Sequence, residues 1–437
     1  MKRKIAVVGG GWAGCAAGVE LTRAGHAVTL FEGARTLGGR ARAIEVDGRL
    51  LDNGQHILLG AYSETLRLMQ TVGIAPDEAL LRLPLQMRYP ADSGMDFVTP
   101  RLPAPFHMLI GLLRASGLTR EDKLALARFS TTARWMDWQL YQDCSVAELL
   151  DRYDQTARLT QLMWRPLCIA ALNTPPKRAS AQVFLNVLRD SLGARRAASD
   201  MLIPRVDLST LFPRRAAEFI ETHRGQVRVG VQVRRIHRHE EQWQIETVDG
   251  EGTTNRFDAV IVATQPKQAA ALLDGLADTT HIVALGHEPI TTCYLQYAAD
   301  LRLQQPFFAL ADNPGRGKWG QFVFDRGQLD ARSPGLLSVV VSASSEAIEQ
   351  GHDALTASVA AQLAEAFGER TFLSPTWTRV ISEKRATFAC EPGLVRPPNA
   401  TGVDGLFIAG DYTAGDYPAT LESAVRSAVA AAGLARA

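Results

Sequence analysis

The sequence predicts an α/β fold in which a doubly wound domain, assembled from separated chain segments, is interleaved with an α+β domain. Three observations carry that prediction. The first fifty residues read strand, glycine turn, helix, strand; a helix-patterned stretch runs from about Pro84 to Arg196; and the chain closes with strand, turn and an alanine-rich helix. At roughly 100–200 residues per domain, 437 residues allow two or three domains, and an apolar fraction of 46% is enough to give each a core.

Ile5-Ala6-Val7-Val8 is a short β-branched run, Gly9 to Gly14 a turn, Cys15 to Arg23 small and apolar at helical spacing, and Val28 to Phe31 a second strand. Long helical segments follow over Arg120–Leu140 and Ser145–Leu172, punctuated by Thr174-Pro175-Pro176. A helix is expected around Leu208–His223. Alternating runs return at Val227–Val233 and Trp243–Val248, with a turn at Asp249-Gly250, and Ala259–Ala263 has the unbroken apolar character of a buried strand. Strands at Thr292–Tyr297 and Leu336–Ser342 and a helix over Ala354–Phe367 come next. Leu406 to Asp411 then reads as strand and turn, and Thr420–Leu434 as the last helix. Residues 1–80, 200–280 and 395–437 accordingly build the doubly wound domain, and 81–199 and 281–394 the second domain with its helical part.

Charge and cysteine usage narrow the partners. Lys plus Arg number 47 against 46 Asp plus Glu, a net charge of +1, so there is no uniform field for nucleic acid and none is expected as a partner. Five cysteines, none in a paired C-x-x-C spacing, argue against a disulfide framework or a structural zinc and fit a reducing cytoplasm. No secretory signal is recognisable, and no run approaches the ~20 apolar residues of a spanning helix. The longest, Leu102 to Leu113, is apolar on nearly every side and flanked by Arg101 and Arg114. It is expected to dip into a membrane surface as the mouth through which a lipid enters, with a buried core helix as the alternative.

Gly9-x-Gly11-x-x-Gly14, with Trp12 and Ala13 inside it, follows a strand and opens a helix, and Glu32 ends the next strand. Glycines let the backbone turn tightly and approach a pyrophosphate, whose charge sits on free N–H groups at the helix start, and the acid can accept ribose hydroxyls. Gly38-Gly39-Arg40 follows closely, where paired glycines permit a loop over the cofactor and Arg40 can neutralise phosphate. Asp52-Asn53-Gly54-Gln55-His56 comes next. At the far end, Gly410-Asp411 and then Pro418-Ala419-Thr420-Leu421-Glu422 place an acid and a second helix start in one turn region. Gly315-x-Gly317 lacks the preceding strand and third glycine, so no separate nicotinamide domain is expected and electrons must come from, or go to, a separate partner.

This set, with Gly230-x-x-Val233 and Ala409-Gly410-Asp411-Tyr412-Thr413, resembles the flavin-containing amine oxidase and phytoene desaturase superfamily. Asp52 to Gly60 and Trp164-Arg165-Pro166-Leu167-Cys168 are similar to the bacterial hydroxysqualene dehydroxylases within it. The resemblance implies a Rossmann-like FAD domain. It puts Gly9, Gly11 and Gly14 at the pyrophosphate, with Trp12 and Ala13 in the same turn, and Glu32 at the ribose. Gly38, Gly39 and Arg40 fall at the phosphate loop, Gly54, Gln55 and His56 alongside the flavin, and the Val233 backbone at the adenine. Gly410 and Asp411 fall at the ribityl chain or phosphate, and Thr420 and Leu421 under the isoalloxazine. Many relatives carry Pro-x-Gly-Gly where this chain has Pro204-Arg205-Val206-Asp207, a departure that leaves the local path there open but not the cofactor.

The implied reaction is reduction of hydroxysqualene to squalene for squalene and hopanoid biosynthesis, by a cytoplasmic enzyme held peripherally at the inner face of the membrane and fed by a separate electron donor or reductase. A desaturase working in the opposite redox sense and an amine oxidase are the alternatives. His56, Asp416 and Tyr417 are the candidate catalytic residues, as titrating or hydroxyl groups near the flavin; Tyr417 or Trp319 could face a developing cation. His237 and His239 share one face of a strand without a third ligand, so no metal is expected. Trp135 and Trp138, at i and i+3, and Trp164 read as helix core, with the lining of an apolar tunnel as the alternative, and Arg195-Arg196 and Arg214-Arg215 as surface charge, with contact to anionic lipid as the alternative.

Overall fold

A computed structural model describes residues 2–436 apart from 91–92, 194 and 249–255. The expected turn at Asp249-Gly250 lies outside the described residues. Five strands form a parallel sheet: β1 (Lys4–Val8), β2 (Ala27–Glu32), β3 (Gln226–Val229), β4 (Ala259–Val262) and β5 (Leu406–Ile408), in the spatial order β3-β2-β1-β4-β5. The order reverses direction at β1, which opens a crevice beyond the carboxyl ends of the strands. Both faces of this sheet are covered, which is why the inner strands are apolar without a break over Ile5–Val8 and Ala259–Val262, while the edge strand β3 alternates Gln226 and Arg228 with valines. Ile5, Val7 and Ile261 join one core while Ala6, Val8 and Val262 join the other. On the first face the helix Trp12–Arg23 packs beside Leu421–Arg436, and small residues such as Ala16, Ala17, Ala428 and Ala431 let the two approach.

Two expected elements divide. The run Val227–Val233 is not one strand: Gly230, at φ 74°, turns the chain out of the parallel sheet. Val233–His239 then pairs antiparallel with Gln242–Thr247. The Leu208–His223 helix is two helices, Leu208–Leu211 and Pro213–Thr222, because Pro213 has no N–H to continue the first. The path after Pro204 is a short turn into the first of these, with Asp207 accepting from the Thr210 N–H as its cap.

The second domain is an antiparallel sheet in the order Phe307–Ala309, Phe322–Asp325, Leu336–Ser342, His287–Gln296, Trp377–Phe388. Strand alternation sends Cys293, Val323, Val339 and Val341 against the helix His352–Phe367. The intervening residues face a layer of helices drawn from residues 106–188, together with the loop that carries Asp52. Those helices are shorter than expected. Arg120–Trp135 stops where Asp137 and Trp138 take positive φ, so Trp138 is buried from a turn and Trp135 is 88% exposed, correcting the reading of Trp135 as core. Ser145–Leu172 is broken by Tyr153 and by a π-helical turn at Thr160–Trp164, and Trp164 is buried. The Phe106–Arg114 helix is half-buried: His107, Gly111 and Leu112 point inward, while the apolar side chains of Phe106, Leu109 and Leu113 are exposed.

Candidate functional site

The N-terminal turn is shaped by contacts that only glycine permits. Gly9 has φ 107°, and a Cβ there would lie 2.6 Å from the Ala263 carbonyl oxygen; one on Gly14 would lie 1.8 Å from that of Gly9. Gly11 instead faces open space, with only the Gly39 Cα within 3.8 Å of where its Cβ would stand. The loops zip together, since the Gly38 N–H donates to the Gly10 carbonyl at 2.8 Å and Gly11 bridges Gly38. No side chain caps the Trp12–Arg23 helix and its first turn holds no acid, so its amides remain free for an anion.

Glu32 is anchored from both sides, accepting from the Gly10 N–H at 2.6 Å and the Ala34 N–H at 2.7 Å. Each carboxylate oxygen keeps a further lone pair toward the crevice edge. The Val231 N–H donates to the Glu32 carbonyl at 2.9 Å, which brings the start of the Val233 strand to the same end of the crevice. Arg40 is committed to protein partners: it donates to Asp411 Oδ1 at 2.6 Å and to the Ala386 carbonyl at 2.5 Å. It therefore ties the second glycine loop to the C-terminal turn and the second domain. Gly410 lies under the Tyr412 ring and donates to Ser427 Oγ, and Thr420 Oγ1 accepts from the Ser423 N–H beside Leu421 at the start of the last helix. The Trp12 indole donates to the Ala41 carbonyl and packs on Phe212, so only its backbone belongs to the turn; Ala13 is buried behind it.

His56 accepts no charge readily. Burial lowers its pKa, the neighbouring Arg40 adds to this, and the Gly54 carbonyl, 2.9 Å from Nδ1, opposes them. A neutral ring with its proton on Nδ1 leaves Nε2 as an acceptor. Asp416 and Tyr417 are placed differently from a free acid pair. The Asp416 side chain is 71% exposed, 3.7 Å from Arg189. Tyr417 donates its hydroxyl proton to Asp190 at 2.5 Å, and the Arg426 guanidinium covers its ring at 4.9 Å. Trp319 packs with the His352–Phe367 side of the second sheet, the face away from the helical layer. Trp319 is thus turned away from the helical layer, and one face of the Tyr417 ring is already covered by a cation. The described residues contain no cluster of metal-ligating side chains, and His237 bonds Gln244 across its hairpin.

Arg326, Thr264 and the Thr292 hydroxyl are groups that the sequence does not single out. Gln55 Oε1 accepts from Arg326 at 2.8 Å, and Arg326 also approaches Asp52 Oδ2 at 3.5 Å. Burial pushes the Asp52 carboxyl up to about 6, against the pull of Arg326 and the Leu208 N–H. Thr264, Thr292 and Tyr412 each hold a buried hydroxyl without a hydrogen-bond partner among the described residues. Thr264 follows β4 and Tyr412 follows β5, at the strand ends where a polar cofactor would meet them. Such orphans have no sequence signature, because an unmet hydroxyl is a property of the packed fold.

A crevice at the switch point of a doubly wound sheet, glycine-lined and with an uncapped helix start and an anchored acid, defines a dinucleotide-binding oxidoreductase. Residues 12–435 match the flavin-containing amine oxidoreductases, and the chain belongs to that family; its cofactor is FAD. It is similar to the hydroxysqualene dehydroxylase of Sinorhizobium fredii, 27% identical over 449 residues covering 100% of this chain and 99% of the relative. It is also similar to the zeta-carotene desaturase of a Synechocystis species, 25% identical over 97% of this chain and 95% of the relative. The cyclohexylamine oxidase of Brevibacterium oxydans shares the fold, with a TM-score of 0.70 at 16% identity over 100% of this chain and 99% of that one.

Proposed function

We propose that the protein reduces hydroxysqualene to squalene. The observation that carries the reading is a row of residues across the second sheet: Ala309 stands opposite Phe322, Phe322 opposite Val340, and Val340 opposite Thr292. The row is apolar until it reaches the unpartnered Thr292 hydroxyl, which lies 4.0 Å from where Gly54 would carry a Cβ. An apolar face ending in one hydroxyl beside the Gly54–His56 segment suits a hydrocarbon that carries one alcohol. Full-length similarity to three hydroxysqualene dehydroxylases at 25–28% identity supports the same substrate.

The diphosphate would rest on the Gly9–Gly14 turn and the free amides of Trp12, Ala13 and Gly14, with Glu32 at the ribose and the Gly38-Gly39 loop over it. Bound FAD supplies hydride exchange. In the net reaction an allylic C–O bond breaks, a C–H bond forms with two electrons and hydrogen from the reduced cofactor, and the oxygen leaves as water after taking one proton. Thr292 and the Nε2 of His56 hold the substrate hydroxyl, while Phe322 and Val340 hold the chain and keep water away. Electrons come from a separate donor. Hydrocarbons of this class dissolve in membranes, and we read the protein as a peripheral visitor there, since no described helix is long and apolar enough to cross one.

Anaerobic mixing of the photoreduced protein with hydroxysqualene is expected to reoxidise the flavin and yield squalene; a flavin that stays reduced would refute the reading. The likeness to carotene desaturases favours a second reading, hydride removal from a polyene precursor. Substrate-dependent bleaching of the oxidised flavin distinguishes it.

A further inference from the structure

We propose that a pocket of about 300 Å³ at the root of the Phe106–Arg114 helix binds the phosphate of an anionic phospholipid and so docks the protein on a bilayer. Arg82, Leu83, Pro84, Arg101, Arg196 and Asp200 line it. Asp200, whose side chain is 3% exposed, accepts from Arg82 at 3.2 Å and from Arg196 at 3.1 Å. Arg101 is exposed and makes no ion pair among the described residues. Arg82 and Arg196 share the Asp200 carboxylate, Arg82 also lies 3.9 Å from Asp77, and Arg101 adds a further charge, leaving one positive charge in excess at a concave site. That is the chemistry that takes a phosphate diester.

The first turn of the neighbouring helix belongs to the same assembly. His107 is wholly buried with both ring nitrogens unpartnered among the described residues, and Arg196, Arg134 and Asp200 all lie within electrostatic reach of it. The pocket and the helix are therefore one local unit.

What surrounds the pocket selects the occupant. Leu102 follows Arg101 directly, and Phe106, Leu109 and Leu113, spaced to share one side of the helix, are 56%, 49% and 60% exposed. Arg114, also exposed, closes the stripe. A soluble phosphate would fill the pocket and leave this stripe in water, whereas an anionic bilayer satisfies both: apolar side chains enter the acyl boundary and the arginines meet the phosphates. The inference rests on the reading that the chain meets a membrane, and not on the reaction it catalyses.

The test is flotation of the FAD-loaded full chain with vesicles of phosphatidylcholine alone or of equal parts phosphatidylcholine and phosphatidylglycerol. Binding should require phosphatidylglycerol, and Arg101→Gln should weaken it roughly fivefold. Arg101→Gln with Arg196→Gln should weaken it further, with Asp200 still paired to Arg82 and the melting temperature confirming the fold. Arg214→Gln, on the exposed side of the Pro213–Thr222 helix, should bind as wild type. Equal binding to both vesicles, or Arg101→Gln binding no more weakly than Arg214→Gln, overturns the pocket and spares the membrane reading. Binding to neither vesicle overturns both.

Discussion

Replacing Asp52 with Asn is expected to stabilise the protein at neutral pH and to leave it unchanged near pH ~4. Asp52 is 2% exposed, with Oδ1 accepting from the Leu208 N–H at 2.9 Å and Oδ2 at 3.5 Å from Arg326, a long contact for an ion pair. Burial dominates and lifts the carboxyl from 3.8 to about 6. In that window the folded chain keeps a proton that the unfolded chain has lost, so the stability contributed by this group is full below the lower value and declines as pH rises through the upper one. Above it, nothing more is lost. The difference corresponds to about 3 kcal/mol. Asn is the uncharged counterpart at all pH and still accepts from Leu208, so the variant should gain up to about 3 kcal/mol over wild type at neutral pH. Thermal melts of both FAD-loaded proteins across the window should therefore diverge as pH rises, the variant melting higher. A variant that melts lower than wild type at neutral pH would refute the reasoning, because it would mean that the Arg326 contact outweighs the burial of the charge.

Gly14→Ala should abolish FAD binding, since its Cβ would stand 1.8 Å from the Gly9 carbonyl oxygen and force the turn open; the flavin absorbance of the purified variant reads this directly. Tyr417→Phe removes a hydrogen bond to a partly exposed carboxylate and should cost about 1 kcal/mol of stability with turnover retained. A loss of turnover of a hundredfold or more at unchanged FAD content would refute this and support a catalytic role for Tyr417.

The doubly wound half was legible because its signals are local. An unbroken apolar run, three glycines and an acid at a strand end each state a backbone requirement within a few residues, and β1, β2, β4, β5 and the last helix fall where those signals lie. Helix ends in the second domain were less legible, since Trp135 and Trp138 fit helical spacing until the chain takes positive φ at Asp137 and Trp138. Arg40 shows a different limit. A guanidinium beside a glycine loop has the chemistry of a phosphate ligand, but the fold brings Asp411 and the Ala386 carbonyl to it from more than 340 residues away, and sequence spacing carries no trace of that meeting. Asp416 and Tyr417 stand beside the last helix in sequence, but that proximity carries no trace of Arg189 and Asp190, which meet their side chains in the fold.

The segment from Asp52 to Gln55 lies in the doubly wound domain by sequence, yet the second domain holds it residue by residue. Tyr294 donates to the Asp52 carbonyl at 2.8 Å, Asn53 reaches Arg40 and Glu383, and Gln55 accepts from Arg326. The Asn53 bond to the Arg40 carbonyl joins this grip to the arginine that pairs with Asp411, so the Asp52–Gln55 segment and the C-terminal turn are held through one neighbourhood. Position of the segment is then set jointly by both domains. A change at Arg326 would therefore be felt at Asp52 and Gln55, although Arg326 lies in a segment assigned to the other domain.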